Sequence, residues 1–467
     1  MDYGATWKSI NGDLPQVYTH VVRRDLHNPR MYYAGLENGL YVTWDAGEHW
    51  FLFGLGLPDA AVYDVQLNAE NNSLVVATHG RSVWILDDLA AFQHFTAQTT
   101  HESVRLFPPA KALRFWPSSQ IEGLGDGAFY GKNPPYGAVV SYYLSKESKE
   151  PGELVIKDAA GHVVRTMKGT HTLDPDEAPP EEEDLPPAAQ SQPPATAHGG
   201  RTEQQEAKSP QAAASSQTQQ QLTPEKPEEV AATEKLKEVP WVPTKAGLQR
   251  MVWDLRADGP VRWEGGKDFD KGPRSGALVP PGEYTLTMTV AGQSSSEKLE
   301  VVQDPTSHAE RAGMEERYKA IESVLHKLSQ VDVALNRIDA MDKQLAALDE
   351  ATRGMADEQK VKTENEAFEK KMKAIKSVLT SNAGAGESTL RTPDQIHEKL
   401  LALDGLLEGD DAAPSAAVLE DKALVETQYE DAIRKFNQFV AEDAKAFNNA
   451  MAARKLTGIV TGDALEP

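Results

Sequence analysis

Two stretches within the first fifty residues share a short aspartate–glycine loop that ends in tryptophan. The complete copy, TWDAGEHW, runs from Thr43 to Trp50, and a shorter copy, DYGATW, runs from Asp2 to Trp7 and includes Gly4. In such a loop Asp45 can accept hydrogen bonds from backbone N–H groups of its own turn, and Gly47 supplies a positive φ. Two copies with tryptophans 43 residues apart indicate a repeated structural unit.

The residues around these loops are typical of short β-strands separated by turns. Each run is rich in β-branched and aromatic residues and is bounded by turn-forming residues. The runs are Val17–Val22, Met31–Gly35, Gly39–Thr43, His49–Phe53, Val62–Leu67, Ser73–Thr78 and Ser82–Leu86. The series restarts 45 residues after Val17, and four strands in about 40–45 residues is the repeat of a β-propeller blade. Residues 1–107 are therefore predicted to form partial β-propeller blades.

A second group of strands is predicted in two separate ranges, 108–170 and 246–303. Apolar and polar residues alternate most clearly from Gly282 to Val290, as expected for a strand with one solvated face. Six or seven such strands favour an immunoglobulin-like or fibronectin-like sandwich that is built in two halves.

The range between these halves, residues 171–245, is rich in Pro, Gln and Ala. Residues 171–240 contain 14 acidic and 5 basic residues and almost no aromatic ones. Such a segment cannot bury enough apolar surface to fold, so a disordered acidic insertion is predicted. The acidic run Glu181–Asp184 could bind a hard cation, but it has no calcium-loop spacing.

Residues 304–467 change to a helical pattern. Apolar residues recur at three- and four-residue steps in four stretches. These stretches are Met314–Leu348, Phe368–Leu379, Ile396–Leu407 and Val425–Met451. Helix breakers between them favour an antiparallel helical bundle, and a coiled-coil dimerisation arm is the alternative.

Composition excludes several function classes. The 467 residues have a net charge of -23, which argues against nucleic acid or an anionic membrane as the main partner. The absence of cysteine excludes disulfides, a cysteine nucleophile and thiolate metal sites. No apolar run is long enough for a membrane span, and no zinc-protease helix or serine nucleophile elbow is present. No cofactor, metal site or catalytic residue is therefore assigned.

Two polar or aromatic groups have alternative interpretations. His79-Gly-Arg81 is either a tight turn whose arginine pairs with Asp87 or Asp88, or part of a rim that binds an acidic ligand or peptide. Trp241, Trp253 and Trp263 either form a carbohydrate platform or divide between a sandwich core, for Trp253, and the junction with the insertion.

The spacing Ser/Thr-x-Asp-x-Gly-x-x-Trp of Thr43–Trp50 resembles the Asp-box of bacterial neuraminidase (BNR) repeats. Further segments resemble large bacterial proteins with a sortilin-like, ten-bladed type of β-propeller, often labelled glycosyl hydrolases. These segments are Ala77–Leu89, Gly131–Leu144, Val252–Arg256 and Pro280–Tyr284. The resemblance covers nearly the whole chain except 171–245. It implies a propeller, an immunoglobulin-like domain and a helical tail, in a secreted or periplasmic protein.

The resemblance specifies architecture better than activity. A sialidase needs an arginine cluster, a tyrosine nucleophile with a glutamate, and an acid/base aspartate. Arg23, Arg24, Arg81 and Tyr63 are available, but nothing in the sequence assigns these roles to them. The expected function is a non-catalytic binding or scaffold module that interacts with protein, peptide or glycan. The alternative is a glycoside hydrolase whose catalytic residues lie in missing upstream blades, because Met1 falls inside an Asp-box.

Overall fold

The computed structural model describes residues 5–54, 56–115, 136–172, 238–266, 276–381 and 394–466. Several antiparallel β-sheets occupy the chain up to residue 303, and the helices beyond residue 310 follow them. This mixed β and α class agrees with the coarse fold class predicted from the sequence.

The first seven strands form two antiparallel sheets in which each strand pairs with the next along the chain. Their bounds are β1 Thr19–Arg24, β2 Tyr32–Leu36, β3 Gly39–Thr43, β4 Phe51–Leu52, β5 Val62–Asn68, β6 Ser73–Thr78 and β7 Val83–Leu86. Strands β1–β4 make the first sheet, and β5–β7 make the second. The two sheets pack face to face around buried residues that include Tyr33, Val42, Val62 and Val76.

Apolar side chains remain exposed on the outer strands of these two sheets. Phe51 and Leu52 on β4, and Val83 and Ile85 on β7, each expose more than half of their surface. Both strands are the edges of their sheets. Exposed apolar side chains on an edge strand mark a surface suited to further packing.

The next strands form three sheets, each of which combines strands from both sides of residues 173–237. Their bounds are β8 Val104–Leu106, β9 Ala112–Arg114, β10 Ala138–Leu144, β11 Glu153–Lys157, β12 Val163–Lys168, β13 Thr170–Thr172, β14 Glu238–Pro240, β15 Gly247–Trp253, β16 Gly282–Val290 and β17 Gln293–Gln303. Strands β13 and β14 form a two-stranded sheet, and the two larger sheets have the orders β15-β10-β8 and β12-β11-β16-β17-β9. Tyr142, Trp253 and Leu286 are fully buried in the hydrophobic core that these sheets share.

The ends of the predicted insertion are part of this ordered region. Strands β13 and β14 pair antiparallel, with Thr170 opposite Pro240, and Val242 is buried in the same core as Trp253. The predicted disordered range 171–245 is therefore too wide at both ends, because strand pairing and burial continue into it. Residues 173–237, with Glu181–Asp184, lie outside the described residues.

The C-terminal helices surround one large hydrophobic core. Their bounds are α2 Arg311–Thr352, α3 Glu358–Leu379, α4 Ile396–Glu408, α5 Ala416–Gln438 and α6 Lys445–Ala453, after a short α1 at Ala90–Gln93. A π-helical segment, Phe439–Ala444, joins α5 to α6. Leu335, Ile433 and Phe436 are fully buried in the core, as their helical spacing predicts.

The three tryptophans do not form one exposed surface, because Trp253 and Trp263 are buried in different cores. Trp253 is buried in the core that the two larger sheets share, and Trp241 is half-buried beneath the guanidinium of Arg165. Trp263 lies on the chain between β15 and β16, yet it is buried in the helical core, where its Nε1 donates to Asp339 Oδ2 at 2.7 Å. A shared carbohydrate platform is therefore excluded, and the predicted position of Trp263 beside the insertion is wrong.

We predict that Trp263→Ala destabilises the helical region by about 3–5 kcal/mol, the usual cost of removing a buried aromatic side chain. Urea unfolding followed by circular dichroism measures the loss. Trp7→Ala is the matched control, because Trp7 is 92% exposed. Equal effects of the two substitutions would contradict the assignment of Trp263 as the residue that joins the sandwich to the helices.

Candidate ligand-binding site

The loop between β3 and β4 is held together by Thr43 and Asp45. The Thr43 hydroxyl donates to Asp45 Oδ1 at 2.8 Å and accepts from the Gly47 N–H at 3.0 Å. Asp45 Oδ1 also accepts from the backbone N–H groups of Glu48 and His49, at 3.0 and 2.9 Å. The carboxylate is thus used within its own turn, as the sequence predicts.

The same loop is fixed from outside by residues 10–13. The Trp50 N–H donates to Asp13 Oδ1 at 2.6 Å, and the Trp50 indole N–H donates to the Ile10 carbonyl at 2.9 Å. Gly47 has a φ of +88°, and a Cβ there would lie 2.5 Å from the same carbonyl oxygen. Threonine, aspartate, glycine and tryptophan are therefore required for structure at this loop.

Only part of the first loop copy, Asp2–Trp7, lies within the described residues. Asp2 and Gly4 lie outside the described residues, and Trp7 is largely exposed. Trp7 therefore lacks the environment of Trp50, which is 7% exposed and packs beside Ala34 and Leu36.

Residues 78–82 form a tight turn at the opposite end of the sheets from the Asp45 loop. Gly80 has a φ of +72°, and the Thr78 hydroxyl donates to the Ser82 carbonyl at 2.7 Å. His79 and Arg81 are both exposed on this turn. This geometry agrees with the interpretation of His79-Gly-Arg81 as a tight turn.

The predicted pairing of Arg81 with Asp87 or Asp88 is not formed. Among the described residues Arg81 has no ion pair, and Asp88 Oδ1 accepts from the Ala90 N–H at 3.0 Å. Arg250 of β15 donates to the Asp87 carbonyl at 2.6 Å and so approaches this segment in place of Arg81. The Arg81 guanidinium is consequently available for a ligand.

His79 belongs to an aromatic cluster that the sequence did not reveal. Its ring stacks on Tyr63 with centroids 4.9 Å apart, and His20 approaches Tyr63 at 4.3 Å. His20 Nε2 is 2.7 Å from Glu37 Oε2 in the β2–β3 turn. His20, Tyr63 and His79 form what we name the imidazole–tyrosine cluster. Only the packing of the two sheets brings these three side chains together, so no local signal in the sequence could have shown the cluster.

Two charged residues near the cluster are engaged in pairs with neighbouring side chains. Arg23 pairs with Asp64 at 3.2 Å, and Glu37 is engaged with His20. Within the described residues, no carboxylate lies within hydrogen-bond distance of the Tyr63 hydroxyl, and no cluster of three or more acidic or histidine side chains could hold a metal ion.

A second concave surface, of about 460 Å³, lies at the end of the sandwich beside β8, β10 and the β16–β17 turn. Lys146 and Lys149 line it together with Glu147 and Glu150. Because the charges alternate in sign, this cleft does not favour one ligand class.

Comparison of the chain with protein-family models, with curated proteins and with solved structures gives no match. Within the described ranges, no helix combines the length and the apolar character that a bilayer crossing requires. Function therefore has to be inferred from the geometry of the chain itself.

We predict that Asp45→Ala destabilises the N-terminal sheets by about 1–3 kcal/mol, because two loop N–H groups lose their acceptor. Partial burial opposes ionisation, but hydrogen bonds from His49 and Thr43 hold the pKa of Asp45 well below its ordinary value of 3.8. The stabilisation by Asp45 is hence present above pH 3.8 and is lost as the pH falls below it.

Thermal unfolding of wild type and variant between pH 2 and pH 7 measures both effects. Asp59→Ala is the control, because Asp59 is exposed and makes no hydrogen bond within the described part of the chain. A stability difference between Asp45→Ala and wild type that stays constant down to pH 2 would contradict a role for the ionised carboxylate.

Proposed function

We propose that the chain is a non-catalytic binding or scaffold part of an exported bacterial protein of the Asp-box, sortilin-like propeller type. In this proposal the two N-terminal sheets are propeller blades, β8–β17 form an immunoglobulin-like sandwich, and α2–α6 form a helical bundle. The stacking of two up-and-down sheets, with an Asp-box-like loop between the third and fourth strands, supports the first assignment.

The observation that carries the binding function is the exposed imidazole–tyrosine cluster beside Arg81. It lies where the starts of β1 and β5 meet the turns after β2 and β6. Rigid strands fix His20 and Tyr63, while the adjoining turn presents His79 and Arg81 to solvent. Aromatic rings next to an unpaired guanidinium suit a protein, peptide or glycan ligand with an acidic group.

The competing proposal is a sialidase-like glycoside hydrolase. The described residues favour it less, because Asp45 is used in its turn and the Tyr63 ring stacks on His79 and contacts the tilted ring of His20. A retaining glycosidase needs a nucleophile and an acid/base group on either side of the scissile bond. We therefore expect no hydrolysis of aryl-sialosides or other aryl-glycosides by the purified chain, and steady release of the aryl group would overturn the proposal.

We predict that His79→Ala combined with Arg81→Ala weakens ligand binding at least tenfold, or about 1.4 kcal/mol. A glycan array and a library of acidic peptides supply the ligands, and fluorescence anisotropy measures affinity. The melting temperature should change little, because both side chains are exposed.

The control variant combines His326→Ala with Arg353→Ala, which removes two exposed side chains from the helical region. It should bind like wild type. Unchanged binding together with a lowered melting temperature in the His79/Arg81 variant would show that the turn has a structural role alone.

A further inference from the structure

Helix α4 carries five ionisable side chains that are partly or fully buried. They are His397, Glu398, Lys399, Asp404 and Glu408, and Lys399 Nζ donates to Gln428 Oε1 at 2.8 Å. The helix lies against α2 and α5, and its last turn meets Arg256 of the sandwich region. Buried ionisable groups are costly unless a partner or a proton neutralises them, so the protonation of α4 affects whether it can stay docked.

The first turn of α4 places a histidine between two acids. His397 and Asp332 of α2 are both 0% exposed, with Nε2 3.1 Å from the Asp332 Oδ1. His397 Nδ1 is 3.6 Å from the Glu398 Oε1. The Trp263 ring meets the imidazole edge to face at 5.8 Å, and Arg262 beside it contributes a more distant positive charge.

The Glu398 carboxylate is held by neutral donors as well. It accepts from the Thr380 hydroxyl at 2.6 Å and from the Ser381 and Gln395 N–H groups at 3.1 and 3.0 Å. Burial opposes its ionisation, but the nearby imidazole of His397 and these donors lower the pKa of Glu398 to about 2. Burial likewise opposes a charge on His397, yet the two carboxylates raise the pKa of His397 to about 9.

Near its C-terminal end, α4 places two acidic side chains close together. Asp404 is 6% exposed, and its Oδ1 has no hydrogen-bond partner in the described structure. Glu408 lies one helical turn further on and pairs with Arg256 at 2.7 Å. Burial and the charge of Glu408 raise the pKa of Asp404 to about 7, although Arg256 opposes this.

The other charged side chains near the C-terminal end of α4 are engaged with other partners. Arg317 of α2 donates to the Leu407 carbonyl at 2.5 Å and approaches Asp410. Arg114 of β9 binds Asp411 at 2.6 Å. Among the described residues, Arg256 is the cation whose charge acts on Asp404, and it is shared with Glu408.

We propose that α4 is a pH-responsive element, docked while His397 and Asp404 each hold a proton and released locally as alkaline conditions remove them. Because Trp263 and Arg256 both contact α4, its release would loosen the contact between the sandwich and the helices.

Each ionisable group contributes its own pH dependence to the docking of α4. His397 contributes stability that is complete below its unfolded pKa of 6.5 and is lost as the pH rises through about 9. Asp404 destabilises docking once it ionises, and this free-energy penalty grows from pH 3.8 to about 7. Glu398 acts in the other direction and weakens docking as the pH falls from 4.5 towards 2. Burial also raises the pKa of Asp332, which therefore adds a penalty of the same sign as Asp404. Docking is strongest near pH 4, where the contributions of Glu398 and Asp404 balance, and declines up to pH 9.

Hydrogen exchange of the full chain, read by mass spectrometry at pH 5.5, 7 and 9 and corrected for intrinsic exchange rates, tests the proposal. Protection of residues 396–408 should fall at least tenfold between pH 5.5 and pH 9, since one pKa unit corresponds to a factor of ten. Peptides from β10 and β15 should keep their protection.

Three variants identify which side chains cause the loss of protection in α4. Asp404→Asn should remove the part of the loss below pH 7. His397→Gln should show reduced α4 protection already at pH 5.5, with little further loss from pH 7 to pH 9. His326→Gln replaces an exposed histidine of α2 and should follow wild type.

If His397→Gln does not fold, wild type and Asp404→Asn still decide the question. Constant protection of α4 in wild type from pH 5.5 to pH 9 would overturn the proposal. A loss that β10 and β15 share equally would overturn it too, because it would show global unfolding.

Discussion

The pairing of β10 with β15 is the contact on which the central and C-terminal parts of the chain depend. Its register runs from Ala138 opposite Trp253 to Leu144 opposite Gly247, and so joins strands from the two sides of residues 173–237. Loop-closure entropy grows slowly with length, so a long intervening segment is compatible with this pairing. Once β15 is in place, Trp253 enters the sandwich core, and the chain that follows carries Trp263 into the helical core.

The contact between sandwich and helices is made by polar groups as well as by Trp263. Arg114 and Asp411 are nearly buried and lie 2.6 Å apart, and Arg256 pairs with the half-buried Glu408. Removing such charges from water costs several kcal/mol per ion, so a buried pair adds little net stability even when its geometry is good. Removing one partner would nevertheless leave an uncompensated charge. These pairs therefore fix the orientation of α4 against the neighbouring sheets more than they stabilise the contact. For the same reason, the ionisation state of the α4 side chains affects whether the contact forms.

The sequence predicted local structure well and predicted spatial neighbours poorly. The seven N-terminal strands begin and end within two residues of their predicted limits, because alternation and turn residues are local signals. Helical spacing likewise predicted the buried face of α2. By contrast, His20 and Tyr63 meet only because two sheets pack together, and Trp263 reaches the helices only because β15 pairs with β10. The predicted pairing of Arg81 with Asp87 or Asp88 failed for a related reason, since Arg250 approaches from a distant strand.

A second loop shows which part of the Asp-box pattern carries information. In the β11–β12 turn, Asp158 Oδ1 accepts from the N–H groups of Ala160 and His162 at 2.9 and 2.8 Å. The His162 ring lies 3.2 Å from the same carboxylate, as His49 lies beside Asp45. An aspartate followed four residues later by histidine thus folds similarly in two different sheets, so this geometry is a property of the turn. What sets the loop at Thr43–Trp50 apart is the threonine that closes it and the tryptophan that ties it to residues 10–13. The resemblance to Asp-box proteins consequently depends on Thr43 and Trp50 more than on the aspartate.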